Sequence, residues 1–358
     1  MATFKQLVRF AVGDQTHYGE LINTDGNKYT VQQFDGTPFD KLLLTDKTYT
    51  VTDLLPPVPN TPLVICIGLN YKQHAKEASL DVPTYPPVFT KPADVLAGPF
   101  ETIPIHRDAQ SHLDYEGELT VVIGKDAKNV SAEDALDYVL GYTAGNDLSA
   151  RNFQMPEASG GQFCYAKSFD KFAPIGHVLV SAQEVQDPQQ LSLVTKVNGV
   201  VKQTTNTSDM IWGVRDIVSH LSRGMTLRKG TLIMTGTPSG VGFFRKEFLQ
   251  DGDVVEVELG VREPGVIDFI LFYFSRQAFP SWLHPESRHM CIRLVFRGAL
   301  VGKELRYSVM VGKASVLGQH PNGMGRQWSR IAYRFLPADR QYMDAGTKSS
   351  TTNLGTDS

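Results

Sequence analysis

The feature that most constrains this chain is the shortness of its apolar runs. Residues 64–67, 119–123, 177–180, 193–197, 232–234 and 254–257 form runs of three to five residues, rich in Val and Ile and bounded by turn formers. Runs of that length do not support a helix of several turns, and they predict strands. Asn198-Gly199, set between residues 193–197 and 200–203, is the strongest hairpin signal, because both residues tolerate the positive φ of a type I′ turn. Helical periodicity is confined to residues 71–78, to 132–138 with Ser131 as N-cap, and to 210–220. Many short strands with few helices predict a β-rich α+β architecture and not a doubly wound sheet.

Two boundaries follow from composition. Pro56, Pro57, Pro59 and Pro62 make a stiff extended connector. It separates a small N-terminal β-rich unit, residues 1–57, from a larger body expected at 62–262. Residues 1–260 carry 22 Lys+Arg against 31 Asp+Glu, and residues 261–358 carry 13 against 7. Basic residues also change from mostly Lys to mostly Arg, and the last stretch, 347–358, is polar. Such a stretch buries too little apolar area to offset its ordering entropy, and the change in basic-residue usage sets residues 263–358 apart as an extension expected to be poorly ordered.

The whole chain of 358 residues is 41% hydrophobic and 20% charged, which excludes collagenous, wholly disordered and polytopic membrane classes. A net charge of -3 gives no basic face for nucleic acid. The longest apolar run, 269–274, is too short to span a bilayer. Cys66, Cys164 and Cys291 are odd in number and never in a Cys-x-x-Cys pair, so neither a disulfide framework nor a zinc site is implied. The start lacks the apolar stretch of a signal peptide. These points predict an intracellular protein, cytoplasmic first and mitochondrial as the alternative.

The sharpest chemical signal is Asp114-Tyr115-Glu116-Gly117-Glu118 running into an apolar strand. Alternation along a strand puts these three carboxylates on one face. A charged edge strand has the same pattern, whereas a hard divalent cation would turn the repulsion into a site. Asp147, after an apolar run and before Arg151 and Gln154, is a candidate further ligand; an Asx turn is its plainer role. His74 and Glu77 lie three apart on a predicted helix, where the carboxylate can orient the imidazole. Lys167 sits among aromatic residues that could desolvate it. Residues 235–242 form a glycine-rich loop after a strand, without the Gly-Lys-Ser/Thr ending of a nucleotide loop. Its N–H groups and Thr237 could hold a carboxylate.

Each signal alone is weak, yet residues 68–77, 114–124, 145–154, 166–170 and 235–242, taken in order, resemble the fumarylacetoacetate hydrolase family. The likeness covers about residues 62–258 and is closer to the short fumarylacetoacetate hydrolase domain-containing proteins, of oxaloacetate tautomerase or acylpyruvase type, than to fumarylacetoacetase proper. It implies a mixed β-roll, a homodimer, and Mg²⁺ or Mn²⁺ chemistry, with Ca²⁺ as a third option, on small β-keto or β-diketo acids. The reaction it implies is acylpyruvate C–C hydrolysis, oxaloacetate tautomerisation or decarboxylation. By the same resemblance Glu116, Glu118 and Asp147 match the metal ligands, His74 and Glu77 the proton-shuttling pair, and Lys167 the lysine beside the substrate oxygen. Arg151, Gln154 and Thr237 match substrate-carboxylate positions, with Tyr71 and Tyr165 as pocket walls. The competing readings are a tailoring hydrolase or isomerase of a larger metabolite, with a wider pocket near Tyr85, Pro86 and Phe89, and a non-catalytic interaction protein on the same fold.

Overall fold

The computed structural model describes residues 4–260, 262–263, 266–267, 271–278, 296–301 and 304–309. The chain divides into two compact units, residues 1–288 and 289–358. In the second, the described residues form one antiparallel pair, Phe296–Val301 with Glu304–Val309.

The first unit is β-rich, as expected. Its main sheet has ten strands in the order Leu42–Val51, Lys28–Gly36, Gln15–Asp25, Gln6–Val12, Leu179–Ser181, Val139–Asn146, Gly117–Ile123, Leu232–Met234, Val64–Ile67 and Val88–Lys91. All neighbours are antiparallel except Leu232–Met234 beside Val64–Ile67, so the sheet is mixed. The N-terminal strands continue it through the pairs Gln6 with Val180 and Leu7 with Leu179.

A second sheet runs Val200–Asn206, Ser192–Val197, Val254–Gly260, Leu271–Ala278 and Thr102–Pro104. Asn198 and Gly199 take φ of 52° and 77°, the positive values that a two-residue type I′ hairpin requires. Gly117–Ile123 is buried at all seven residues. Leu119, Val121 and Ile123 join one apolar cluster and Val122 the other, so the strand is a wall between two cores.

Two helices depart from the periodicity. The segment expected at 132–138 is a 3₁₀ turn, Ala135–Tyr138, and Arg215 takes the carbonyls of Ala132 and Glu133 at 3.2 and 2.7 Å. The helix expected from residue 210 begins at Val214 and runs to Ser222. Ahead of it, Asn70 captures Ile211 N through its carbonyl and Trp212 N through its side chain, each at 2.8 Å, which holds the chain extended. The segment 71–78 is helical over Lys72–Ala78.

Past residue 263 the described strands are Val266–Ile267, Leu271–Ala278 and the pair already named, and the rest of the expected extension lies outside the described residues. Among the described residues no helix is long and apolar enough to cross a membrane.

Candidate active site

Among the described residues, every buried Asp, Glu, Lys and Arg belongs to one cluster: Asp114, Glu116, Glu118 and Asp147 with Lys91, Arg151 and Lys167. Such residues are rarely buried without pairing, and their gathering in one place marks a functional site. The sheet register builds it. Gly117 is paired with Asn146, so Glu116 and Glu118, which flank Gly117, meet Asp147 at the end of the neighbouring strand. Asp147 N donates to the Glu116 carbonyl at 2.9 Å. A Cβ at position 117 would lie 1.9 Å from Thr195 Oγ1, so glycine is what lets the second sheet pack over the acids.

One carboxylate oxygen from each of Glu116, Glu118 and Asp147 lies within 4.8 Å of the other two. Asp114 does not join this face. It sits in a separate short strand, Leu113–Asp114, because the ladder breaks where Glu116 N turns to Asn146 Oδ1 at 2.9 Å. Its carboxylate accepts from Gly242 N at 2.7 Å, Phe243 N at 2.9 Å and Arg151 Nε at 2.8 Å.

The cations are shared tightly. Lys167 Nζ donates to Glu116 Oε2 at 2.8 Å, Asp147 Oδ2 at 2.7 Å and Ser149 Oγ at 2.8 Å. Arg151 bridges Asp114 to Glu116 Oε1 at 2.6 Å and gives its third nitrogen to Gln154 Oε1 at 2.7 Å. Burial acts to raise the Glu116 pKa, but the Lys167 and Arg151 charges overcome it and hold the carboxyl down at about 2. Glu118 is the opposite case. Burial first, then the Asp147 and Glu116 charges, push its carboxyl well above the ordinary range. It accepts from Gly236 N at 2.7 Å, and among the described residues it forms no ion pair.

His74 Nδ1 lies 2.9 Å from Glu77 Oε2, and Glu77 Oε1 accepts from Gly240 N at 2.9 Å. Phe244 packs edge-on against the imidazole. Three amides of the glycine-rich loop, those of Gly236, Gly240 and Gly242, thus serve protein carboxylates, Glu118, Glu77 and Asp114. Gly236 takes φ of 101°, and a Cβ there would lie 2.7 Å from Asn70 Cβ. Thr237 is likewise engaged: its Oγ1 accepts from Gln203 at 2.8 Å and donates to the Gly117 carbonyl at 3.1 Å. Tyr71 is fully buried at the start of the His74 helix, and among the described residues its hydroxyl has no hydrogen-bond partner. Tyr165 is 70% exposed, against Phe153 and Phe169. Phe89 is buried 5.0 Å beneath the Lys167 ammonium, while Tyr85 is exposed and stacks on His220. A surface cavity of about 530 Å³, lined by Glu133, Asp187, Gln189, Arg215 and Asp216 among others, shares no residue with the cluster.

Lys91 and Asn70 are the members that motif reading missed, whereas Asp114 was read but placed on the wrong face. Lys91 looks in sequence like an ordinary lysine closing a strand, and its ammonium reaches Asp147 Oδ1 at 2.5 Å. Asn70 lies inside a recognised motif, yet its partners, Trp212 and the Thr235 carbonyl, come from distant segments.

The donor set of the trio is entirely carboxylate oxygen, buried, converging and short of one cationic partner at Glu118. Those residues fit a hard divalent cation. A mixed β-sheet presenting such a trio beside a buried lysine and a helix-borne His-Glu pair makes a candidate enzyme site able to hold a metal ion. Residues 63–267 match the fumarylacetoacetate (FAA) hydrolase C-terminal family, and the chain belongs to that family. It is 47% identical over 209 residues to the fumarylacetoacetate hydrolase domain-containing protein 2 homolog of Dictyostelium discoideum, 55% of this chain and 67% of that protein. Identity to oxaloacetate tautomerase YisK of Bacillus subtilis is 39% over 257 residues, 68% of this chain and 84% of the relative. Among solved structures, 2-hydroxyhepta-2,4-diene-1,7-dioate isomerase from Mycobacterium marinum is similar with a TM-score of 0.65 at 35% identity, covering 77% of this chain and 99% of that one.

Proposed function

We propose that the chain moves a proton between carbon and oxygen of a β-keto acid, with oxaloacetate as the reference substrate. The site would hold Mg²⁺ or Mn²⁺ on Glu116, Glu118 and Asp147. The observation that carries this reading is the meeting of three buried carboxylates with a lysine that touches two of them. It is supported by the tautomerase and isomerase names of the Bacillus and Mycobacterium relatives.

When bound, the cation would supply Lewis-acid stabilisation of an enolate, a contribution of several kcal/mol. Arg151, steadied by Gln154, would hold the substrate carboxylate. Lys167 Nζ, whose pKa burial lowers but Asp147 and Glu116 lift above the ordinary value, would donate to the substrate oxygen. His74 has Nδ1 fixed on Glu77 and keeps Nε2 to exchange a proton with the substrate carbon. The working form in this proposal is a homodimer.

The second reading, hydrolytic cleavage of an acylpyruvate, is favoured by the same His74–Glu77 pair, which could aim a water at a carbonyl carbon. His74→Ala separates the two. Cleavage needs the held water and is expected to fall by at least about 10²-fold, while part of the oxaloacetate enol-to-keto conversion survives on Lys167. Both reactions are followed on one preparation, by loss of enol absorbance and by pyruvate release. Equal loss of both sinks the divided role of His74, and a wild-type chain inert toward both substrates moves the reading to a larger metabolite.

A further inference from the structure

Asp147 carries an ammonium on each of its two oxygens, and the two lysines differ in what else they hold. Lys91 ends the strand Val88–Lys91 with its side chain wholly buried. Besides its ion pair with Asp147 Oδ1, it donates to the Phe172 carbonyl at 2.6 Å and the Leu148 carbonyl at 3.4 Å. These partners are main-chain carbonyls outside the carboxylate trio. Lys167, by contrast, rests on Asp147 Oδ2, on Glu116 Oε2 and on the Ser149 hydroxyl, so two of its three acceptors belong to the trio. Its ammonium stands in competition with any divalent cation for those oxygens.

From this asymmetry we infer a division of labour, resting on the metal reading given above. Lys91 is a positioning residue that fixes Asp147 by one oxygen and leaves the other to ligate. Lys167 is the exchangeable partner, which gives up carboxylate oxygens to the cation and so becomes available to the substrate. The strand that carries Lys91 is bonded to Val64–Ile67, and Lys91 also ties Asp147 to the Leu148 and Phe172 main chain. It can therefore keep Asp147 in place when Lys167 lets go. Partners that orient a ligand from behind typically cost 10–100-fold in metal affinity when removed.

The test is calorimetric titration of the full chain with Mn²⁺ alone, alongside thermal melts with and without Mn²⁺. Lys91→Met is expected to weaken Mn²⁺ binding at least about 10-fold. Lys167→Met, which removes a competitor, is expected to bind Mn²⁺ as tightly as wild type or more tightly while losing enol conversion. If Lys91→Met lowers the melting temperature of the metal-free protein but binds Mn²⁺ with wild-type affinity, the lysine is merely structural and the inference falls. It falls too if Lys167→Met loses as much affinity as Lys91→Met.

Should Lys91→Met show no cooperative melt, Lys91→Gln is titrated instead, since it keeps an N–H donor for the Phe172 carbonyl. Weaker Mn²⁺ binding by that variant supports the assignment, and unchanged binding overturns it. A wild-type chain that binds no Mn²⁺ overturns the metal reading and this assignment together, whereas wild-type binding with an unaffected Lys91 variant overturns this assignment alone.

Discussion

In the proposed metal site, Glu118 is the residue at which folding and metal binding would pull in opposite directions. Its carboxyl is raised by burial and by two neighbouring acids, so its neutral form suits the metal-free fold and its charged form suits a cation. For an acid whose folded pKa lies above the unfolded one, the stabilising contribution is complete below the unfolded value and is lost as pH rises through the folded value. The metal-free protein is therefore expected to lose stability on going from mildly acidic to neutral pH, and Glu118→Gln to flatten that loss. The same variant is expected to show a higher metal-free melting temperature at neutral pH and no Mn²⁺-dependent shift. A Glu118→Gln chain still stabilised by Mn²⁺ would remove Glu118 from the ligand set. At this scale the site was largely legible, since Glu116, Glu118, Asp147, His74 and Glu77 all stand in short motifs. Lys91 was not read as a site member and Asp114 was placed with the wrong partners, because their roles depend on residues as far as 81 and 128 positions away.

Among the elements, strands rich in Val and Ile could be read directly, while Val139–Asn146 could not. Its sequence carries Gly141 and Gly145 where a strand former is expected, and the structure gives the reason. A Cβ on Gly141 would lie 2.2 Å from the Val180 carbonyl, and one on Gly145 would lie 2.3 Å from Thr120 Oγ1. The hairpin glycine differs in kind, for Gly199 has open space and needs only its positive φ. Gly199→Ala is therefore expected to cost about 1 kcal/mol, and Gly141→Ala clearly more, because backbone and not a flexible side-chain end must give way. Urea melts of the two variants check the order, and equal losses would show that the strand contact relaxes easily. The late start of the Val214–Ser222 helix was hidden for a related reason. Asn70, far away in sequence, bonds the amides of Ile211 and Trp212 and so holds that stretch outside the helix.

Across the whole molecule, charge and proline usage suggested breaks at residues 56–62 and 262, yet hydrogen-bonded sheets cross both. The N-terminal strands belong to the main sheet, and Leu271–Ala278 pairs with Val254–Gly260 on one side and with Thr102–Pro104 on the other. Ladder pairing depends on backbone and register, which composition does not encode. Truncation after Arg288, where the first compact unit ends, is expected to leave the melt of that unit nearly unchanged. Truncation after Glu263 removes the bridging strand, bares an edge, and is expected to lower the melting temperature and promote aggregation. Light scattering alongside the melts distinguishes the two shortened chains, and an unaffected shorter one would mean that the bridging strand adds no stability. The seven buried charges carry a last consequence, for the kind of molecule the proposed site would accept. Four acids against three bases leave one negative charge in excess, so a divalent cation brings the interior to one positive charge. One substrate carboxylate cancels that charge, and the second carboxylate of a dicarboxylic keto acid is then best left toward solvent. Neutral esters and amides of the same acid leave the interior charge uncompensated, which makes them poor guests even where their shape is right.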